Sequence, residues 1–124
     1  MALILVIDDS TFQRHMIRTM VESAGHHVLE ASNGREGLQL LGSKKPDCVL
    51  MDLIMPELNG FSMLKAFQGH DSKIPVVIVT ADIQQSTYKQ CLELGAVAVL
   101  NKPLRPDELH KTIQKALGVK DQAA

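Results

Sequence analysis

Continuous apolar runs alternate along this chain with segments in which apolar residues recur every three or four positions. Continuous runs are typical of strands buried on both faces of a sheet, and the longer spacing is typical of helices that pack through one face. The runs predict five strands, at residues 3–7, 27–31, 48–51, 76–79 and 97–100, of which the second is the weakest. Strands that alternate with helices indicate an α/β fold with a parallel sheet covered on both faces.

The first helix is predicted from Ser10 or Thr11, either of which can cap it, to a stop at Gly25. Its apolar positions are Phe12, Met16, Ile17, Met20 and Val21. Four further helices are predicted around residues 38–41, 61–67, 88–92 and 109–117, the second helix ending near Gly42, the fourth at Gly95 and the fifth at Gly118. Residues 1–118 therefore form one predicted domain, and residues 119–124 are predicted to be a short tail.

Composition limits the function classes. Of the 124 residues, 45% are hydrophobic and 22% are charged, and the net charge of -1 gives no general attraction to nucleic acid or anionic lipid. The apolar run at residues 3–7 has no basic lead-in and stops at two aspartates, so it is neither a signal peptide nor a membrane span. We expect a cytoplasmic protein that neither enters the membrane nor binds nucleic acid directly.

Polar side chains follow four of the predicted strands. Asp8 and Asp9 end the first strand, Asp52 the third, Thr80 the fourth and Lys102 the fifth. The carboxyl ends of parallel strands meet at one edge of the sheet, where open α/β sheets bind their ligands. These five side chains are therefore expected to converge in one crevice.

Three clustered carboxylates repel one another unless a cation lies among them, and Mg²⁺ prefers such hard oxygen ligands. A carboxylate such as Asp52 can also attack phosphorus and form an aspartyl phosphate. An ammonium and a hydroxyl, as in Lys102 and Thr80, stabilise the charge that develops on the phosphoryl oxygens. Each residue alone has a plainer interpretation as a helix cap, a turn former, a strand end or a surface lysine, so the prediction depends on their joint placement.

Four motifs together resemble the receiver domain of two-component response regulators. They are Ile7-Asp8-Asp9-Ser10, Met51-Asp52-Leu53-Ile54-Met55-Pro56 with Gly60, Val79-Thr80-Ala81 and Asn101-Lys102-Pro103. The resemblance covers essentially the whole chain, in order. It implies a flavodoxin-like (βα)5 three-layer sandwich whose five parallel strands have the order 2-1-3-4-5.

The resemblance also implies a mechanism. Asp52 would receive a phosphoryl group from a histidine kinase or a histidine phosphotransfer protein, so that the chain acts as a switch and not as an enzyme. Asp9, Asp52 and the backbone carbonyl of Ile54 would bind Mg²⁺ directly, and Asp8 would act mainly through water. Thr80 would follow the phosphoryl group, Lys102 would pair with it, and the Lys102–Pro103 bond would be cis.

One position departs from the family pattern. Three residues before the lysine the family commonly carries a Tyr or Phe that swings inward, and this chain has Val99. Val99 is small and stiff at χ1, so the signal is expected to travel through loop movement or through another residue. Ile54 and Asp82, two positions after Asp52 and Thr80, lie where receivers vary their rate of dephosphorylation.

Two other classes compete with a signalling switch. Phosphatases of the haloacid-dehalogenase type also use an aspartyl phosphate, but they carry a second carboxylate two residues after the nucleophile, where this chain has Ile54. The intact acidic set with Thr80 and Lys102 argues against a phosphate-independent interaction module. The preferred interpretation is a stand-alone regulator of the chemotaxis type, and the alternative is a receiver cut from a longer protein. The sequence does not identify the downstream partner, for which a phosphatase is one candidate.

Overall fold

A computed structural model describes residues 1–55, 58–70 and 73–123, and the side chains of residues 54–59 and 119–124 lie outside that description. The strands are β1 Leu3–Ile7, β2 His27–Ala31, β3 Cys48–Asp52, β4 Ile54–Met55, β5 Leu58–Asn59, β6 Val76–Thr80 and β7 Ala98–Asn101. The helices are α1 Thr11–Ser23, α2 Gly34–Lys44, α3 Gly60–His70, α4 Gln85–Glu93 and α5 Pro106–Ala123.

Five of these strands form one parallel sheet in the order β2-β1-β3-β6-β7. Counted along the chain, the sheet strands have the order 2-1-3-4-5, so the predicted fold class is confirmed. After β3 the structure also has a separate antiparallel pair, between β4 and β5. The predicted strand at residues 97–100 is shifted by one residue, to β7.

The sheet is covered on both faces. Alternate residues of the central strands point to opposite sides, as with Leu5 and Val6 of β1, which lie in different hydrophobic clusters. One cluster lies between the sheet and α2, α3 and α4, and it includes Phe67 and Leu64 of α3. The other cluster lies between the opposite face of the sheet and α1 and α5. β3 is buried along its whole length, because it has a neighbouring strand on each side and helices on each face.

Helix α1 shows how packing selects among apolar residues. Ile17 and Val21 are buried, but Phe12 is 71% exposed and Met16 is 39% exposed, although all four share the helical spacing of apolar residues. At about 100° per residue, Phe12 lies roughly 140° around the helix from Ile17, beyond the face that meets the sheet. The predicted cap is confirmed at Ser10, whose hydroxyl accepts a hydrogen bond from the N–H of Gln13.

Glycine ends some of these helices and not others. Gly25 and Gly95 follow α1 and α4 with φ of 90° and 104°, the left-handed conformation that glycine adopts without strain. α5 continues past Gly118 to Ala123, so the prediction that the helix ends at Gly118 is wrong. Gly118 does not have a positive φ, and a glycine inside a helix weakens it without ending it. α2 likewise passes Gly42 and ends at Lys44.

Within the described residues, no helix combines the length and the apolar character that crossing a membrane requires.

Candidate functional site

The predicted site lies at the carboxyl edge of the sheet, where β1 contributes Asp8. The Asp8 side chain is buried, and its Oδ1 accepts a hydrogen bond of 2.9 Å from the N–H of Ser10. Its Oδ2 is buried and accepts no hydrogen bond from any described residue. The nearest cation to this oxygen is the ammonium of Lys102, at 3.6 Å. A buried carboxylate oxygen without a hydrogen-bond donor is costly, and such an atom points to a missing ligand.

Asp52, the last residue of β3, lies beside Asp8 because β1 and β3 are neighbours in the sheet. The side chain is largely buried, and its Oδ2 accepts a hydrogen bond of 3.0 Å from the Lys102 Nζ. One ammonium is thus shared between two buried carboxylates that belong to different strands.

Lys102 follows β7, and a backbone hydrogen bond ties it to β6. Its N–H donates to the carbonyl of Thr80 at 2.9 Å, and the Lys102–Pro103 peptide bond is cis, as the resemblance implied. Thr80 itself ends β6 and is fully buried, and its hydroxyl accepts a hydrogen bond of 3.0 Å from the N–H of Asp82.

Asp8, Asp9 and Asp52 form a cluster that suits a cation. One carboxylate oxygen of each lies within 4.8 Å of the others, and Asp9 is exposed while the other two are buried. Burial is the main cause that raises the pKa of Asp8, and the Asp52 and Asp9 charges add to it, whereas the Ser10 N–H and Lys102 oppose it. Hard oxygen ligands, one of them without a hydrogen-bond donor, fit Mg²⁺. Ile54, the predicted carbonyl ligand, begins β4, and its ligand role stays a prediction.

Two residues near the site have structural roles of their own. The Asp82 carboxylate accepts hydrogen bonds from the N–H of Gln84 at 2.9 Å and from the hydroxyl of Thr87 at 2.8 Å, so it serves the start of α4. Gly60 begins α3 without a positive φ. It is needed because a Cβ there would lie 2.0 Å from the carbonyl oxygen of Leu53.

Sequence reasoning gave no role to Arg14, which contacts the backbone of Asp8 and the side chain of Glu30. The sequence carries little signal for this, because an arginine in the second turn of a helix is ordinarily a solvated surface residue.

Comparisons with known proteins agree with this geometry. Residues 4–114 match the family model described as response regulator receiver domain. Protein PilH of Pseudomonas aeruginosa is 41% identical over 119 residues, which cover 94% of this chain and 98% of that protein. The chemotaxis protein CheY of Thermotoga maritima is 33% identical over 113 residues, covering 90% of this chain and 94% of that one.

A solved structure, the response regulator receiver domain protein from Clostridium thermocellum, superimposes with a TM-score of 0.93 at 29% sequence identity and covers 100% of both chains. The chain belongs to the response regulator receiver family, and its fold is that of the CheY-like receivers.

Proposed function

We propose that the chain is a phosphorylation switch in which Asp52 accepts a phosphoryl group from a histidine kinase or a histidine phosphotransfer protein, with Mg²⁺ bound. The observation that carries the proposal is the position of the Asp52 carboxylate. It lies at the carboxyl end of the central strand, 3.0 Å from the Lys102 ammonium and within a cluster of three carboxylates.

The transfer would form a bond between an Asp52 oxygen and phosphorus while the bond from phosphorus to the donor imidazole nitrogen breaks. The imidazole keeps the electron pair of the broken bond and then takes up a proton. Lys102 remains an ammonium and can turn from the Asp52 oxygen to an oxygen of the incoming group, where it offsets negative charge.

Mg²⁺, when bound, supplies a second positive charge beside the phosphoryl oxygens. Asp9 and Asp52 would hold it directly, with the carbonyl of Ile54, and Asp8 would hold its water. Asp8 Oδ2 accepts no hydrogen bond from the described part of the chain, which supports this assignment, because water bound to the cation would give that oxygen a donor.

The contacts of Thr80 support a switch that does not require an aromatic residue at position 99. The Thr80 hydroxyl accepts from the Asp82 N–H, and the Asp82 carboxylate in turn binds the first turn of α4. If the hydroxyl turns toward a phosphoryl group, the Asp82 N–H loses this hydrogen bond and the loop before α4 can move. Val99 is half-buried against the core and is not needed for this route.

A switch is favoured over a phosphatase because Ile54 replaces the second carboxylate that haloacid-dehalogenase-type enzymes carry two residues after the nucleophile. We therefore propose that the chain is not an enzyme in its own right. We propose that it acts in the cytoplasm, where a histidine kinase takes its phosphoryl group from ATP. The similarity to CheY of Thermotoga maritima favours a partner of the chemotaxis type.

The proposal is tested by incubating the protein with acetyl phosphate and Mg²⁺ and measuring intact mass. The wild type should gain one phosphoryl group, and Asp52→Asn should gain none because the nucleophilic oxygen is gone. Asp47→Asn is the matched control, since Asp47 lies at the opposite end of β3 and should leave labelling intact. Circular dichroism checks that each variant is folded. Equal labelling of Asp52→Asn and the wild type would show that Asp52 is not the acceptor.

A further inference from the structure

Arg14, in the second turn of α1, makes two contacts that join the acidic cluster to β2. Its Nη1 donates to the backbone carbonyl of Asp8 at 2.8 Å, and its Nε donates to Glu30 Oε1 at 3.0 Å. The Arg14 side chain is only 14% exposed, and that of Glu30 is 21% exposed. Two directed contacts from one nearly buried guanidinium hold it in a single orientation.

The carbonyl that Arg14 binds belongs to the peptide group that joins Asp8 to Asp9. A peptide group is planar and contains both Cα atoms, so holding its oxygen helps to fix the two points from which the Asp8 and Asp9 side chains start. The N–H of Asp8 is held as well, because it donates to the carbonyl of Ala31 at 3.1 Å.

Both anchors lead to the same piece of backbone. Ala31 and Glu30 are adjacent in β2, so Asp8 is tied to this strand directly through its N–H and indirectly through Arg14 from its carbonyl. The result is a closed ring of contacts around the Asp8 backbone, with the carboxylates of Asp8 and Asp9 on the side of the cluster.

We propose that Arg14 is a positioning residue for the cation site, which it serves by holding the Asp8–Asp9 peptide group against Glu30. The inference rests on the proposed function, in which these carboxylates bind Mg²⁺. Residues that orient metal ligands without touching the metal typically change affinity by roughly 10- to 100-fold when they are replaced. We expect the lower end, because Arg14 acts through the backbone.

The chain supplies a matched control in Arg18, one turn further along α1. Arg18 also binds Glu30, through its Nη1, and it pairs with Glu22 at 3.3 Å, but neither contact involves Asp8. Arg14→Gln and Arg18→Gln each remove one positive charge and one ion pair with Glu30. Only Arg14→Gln removes the hydrogen bond to the Asp8 carbonyl, and only Arg18→Gln removes the pair with Glu22.

The first measurement is calorimetric titration of each variant with Mg²⁺ in the absence of a phosphodonor. Arg14→Gln should weaken binding about tenfold, and Arg18→Gln should leave it at the wild-type value. Electrostatics alone predicts a higher Mg²⁺ affinity for Arg14→Gln, because removing a positive charge near three carboxylates strengthens cation binding. Arg14→Lys should also bind Mg²⁺ weakly although it keeps the charge, since one ammonium cannot reproduce the two hydrogen bonds of the guanidinium to Asp8 and Glu30.

Two further readouts separate positioning from general damage. In metal-free protein, the amide signal of Ser10, whose N–H binds Asp8 Oδ1, should shift in Arg14→Gln and not in Arg18→Gln. In labelling with acetyl phosphate, the Mg²⁺ concentration for half-maximal rate should rise about tenfold in Arg14→Gln, with the rate at saturating Mg²⁺ near that of the wild type. Should Arg14→Gln fail to fold, Arg14→Lys takes its place, because it keeps the charge and should weaken Mg²⁺ binding in the same direction.

Equal Mg²⁺ affinity in Arg14→Gln and Arg18→Gln, or tighter binding in Arg14→Gln, overturns the inference. These results concern the cation and leave the proposed function standing if the wild type is still labelled on Asp52. A wild type that binds Mg²⁺ but takes no phosphoryl group overturns the proposed function instead, and the titrations then still decide the role of Arg14.

Discussion

The two ends of the sheet differ in how the oxygens of a carboxylate are hydrogen-bonded. At the amino end, Asp47 Oδ2 accepts a hydrogen bond of 2.8 Å from the N–H of Leu3, and the neighbouring N–H of Ala2 donates to His26 Nδ1 at 3.1 Å. At the carboxyl end, Asp8 keeps a buried oxygen without a hydrogen-bond donor among the described residues.

This difference separates a carboxylate that serves the fold from one that the proposed cation site would use. Asp47 compensates for its desolvation by satisfying a backbone donor at the start of β1, which stabilises the fold. Asp8 lies close to Asp9 and Asp52, and a single ammonium is shared between Asp8 and Asp52. An arrangement that is unfavourable to the free protein persists where a ligand completes it, as is typical of functional sites.

The largest expected effect at the carboxyl end comes from Lys102→Ala. Some labelling of Asp52 should remain, because the carboxylates still bind Mg²⁺, but the phosphorylated state should lose the counter-ion that stabilises its conformation. Amide shifts in α4 and β7 on phosphorylation should appear in the wild type and disappear in the variant. Normal shifts in phosphorylated Lys102→Ala would show that the switch does not depend on this residue.

The next effect concerns how long the phosphoryl group survives. Hydrolysis needs a water in line with phosphorus, which Ile54 cannot orient and an asparagine can. We expect phosphate loss to be slow in the wild type and about tenfold faster in Ile54→Asn, short of the roughly 100-fold that misplacing a reacting group can cost. Asp82→Asn should change it less, because that carboxylate is engaged by α4. An Ile54→Asn variant that keeps its phosphate as long as the wild type would contradict this.

The same substitution, Asp to Asn, made once at each end of the sheet, should change the free energy of unfolding in opposite directions. In metal-free buffer, Asp8→Asn should raise the free energy of unfolding by about 1 kcal/mol, because it removes a buried charge repelled by its neighbours. Asp47→Asn should lower it by about 1 kcal/mol, because a charged acceptor for the Leu3 N–H becomes a neutral one. Urea unfolding measures both, and changes of the same sign would remove the distinction drawn between the two ends.

The smallest expected effect is a pH dependence at the amino end. Burial is the main cause that lowers the pKa of His26 from 6.5, the N-terminal amine and His110 add to it, and Asp47 opposes it. The unfolded chain therefore binds a proton first, so stability should fall as pH drops below 6.5 toward the lower folded value. His26→Asn, whose Oδ1 can accept from the Ala2 N–H, should flatten this slope. An unchanged slope in urea titrations at pH 7 and pH 5.5 would assign the dependence to other groups.

Much of the fold could be predicted from the sequence because it depends on local pattern. A run such as residues 76–79 has no polar position to place in water, so it indicates a strand covered on both faces. Parallel strands bring their carboxyl ends to one edge, which is why Asp8, Asp52 and Lys102 could be expected to meet before any coordinate was known.

Only the tertiary structure decided the remaining features. Arg14 and Glu30 are 16 residues apart and meet because α1 packs beside β2, a contact that no local pattern encodes. The exposure of Phe12 likewise depends on which face of α1 meets the sheet. Sequence patterns record the burial of whole segments, whereas the direction of one side chain is set by neighbours that are distant along the chain.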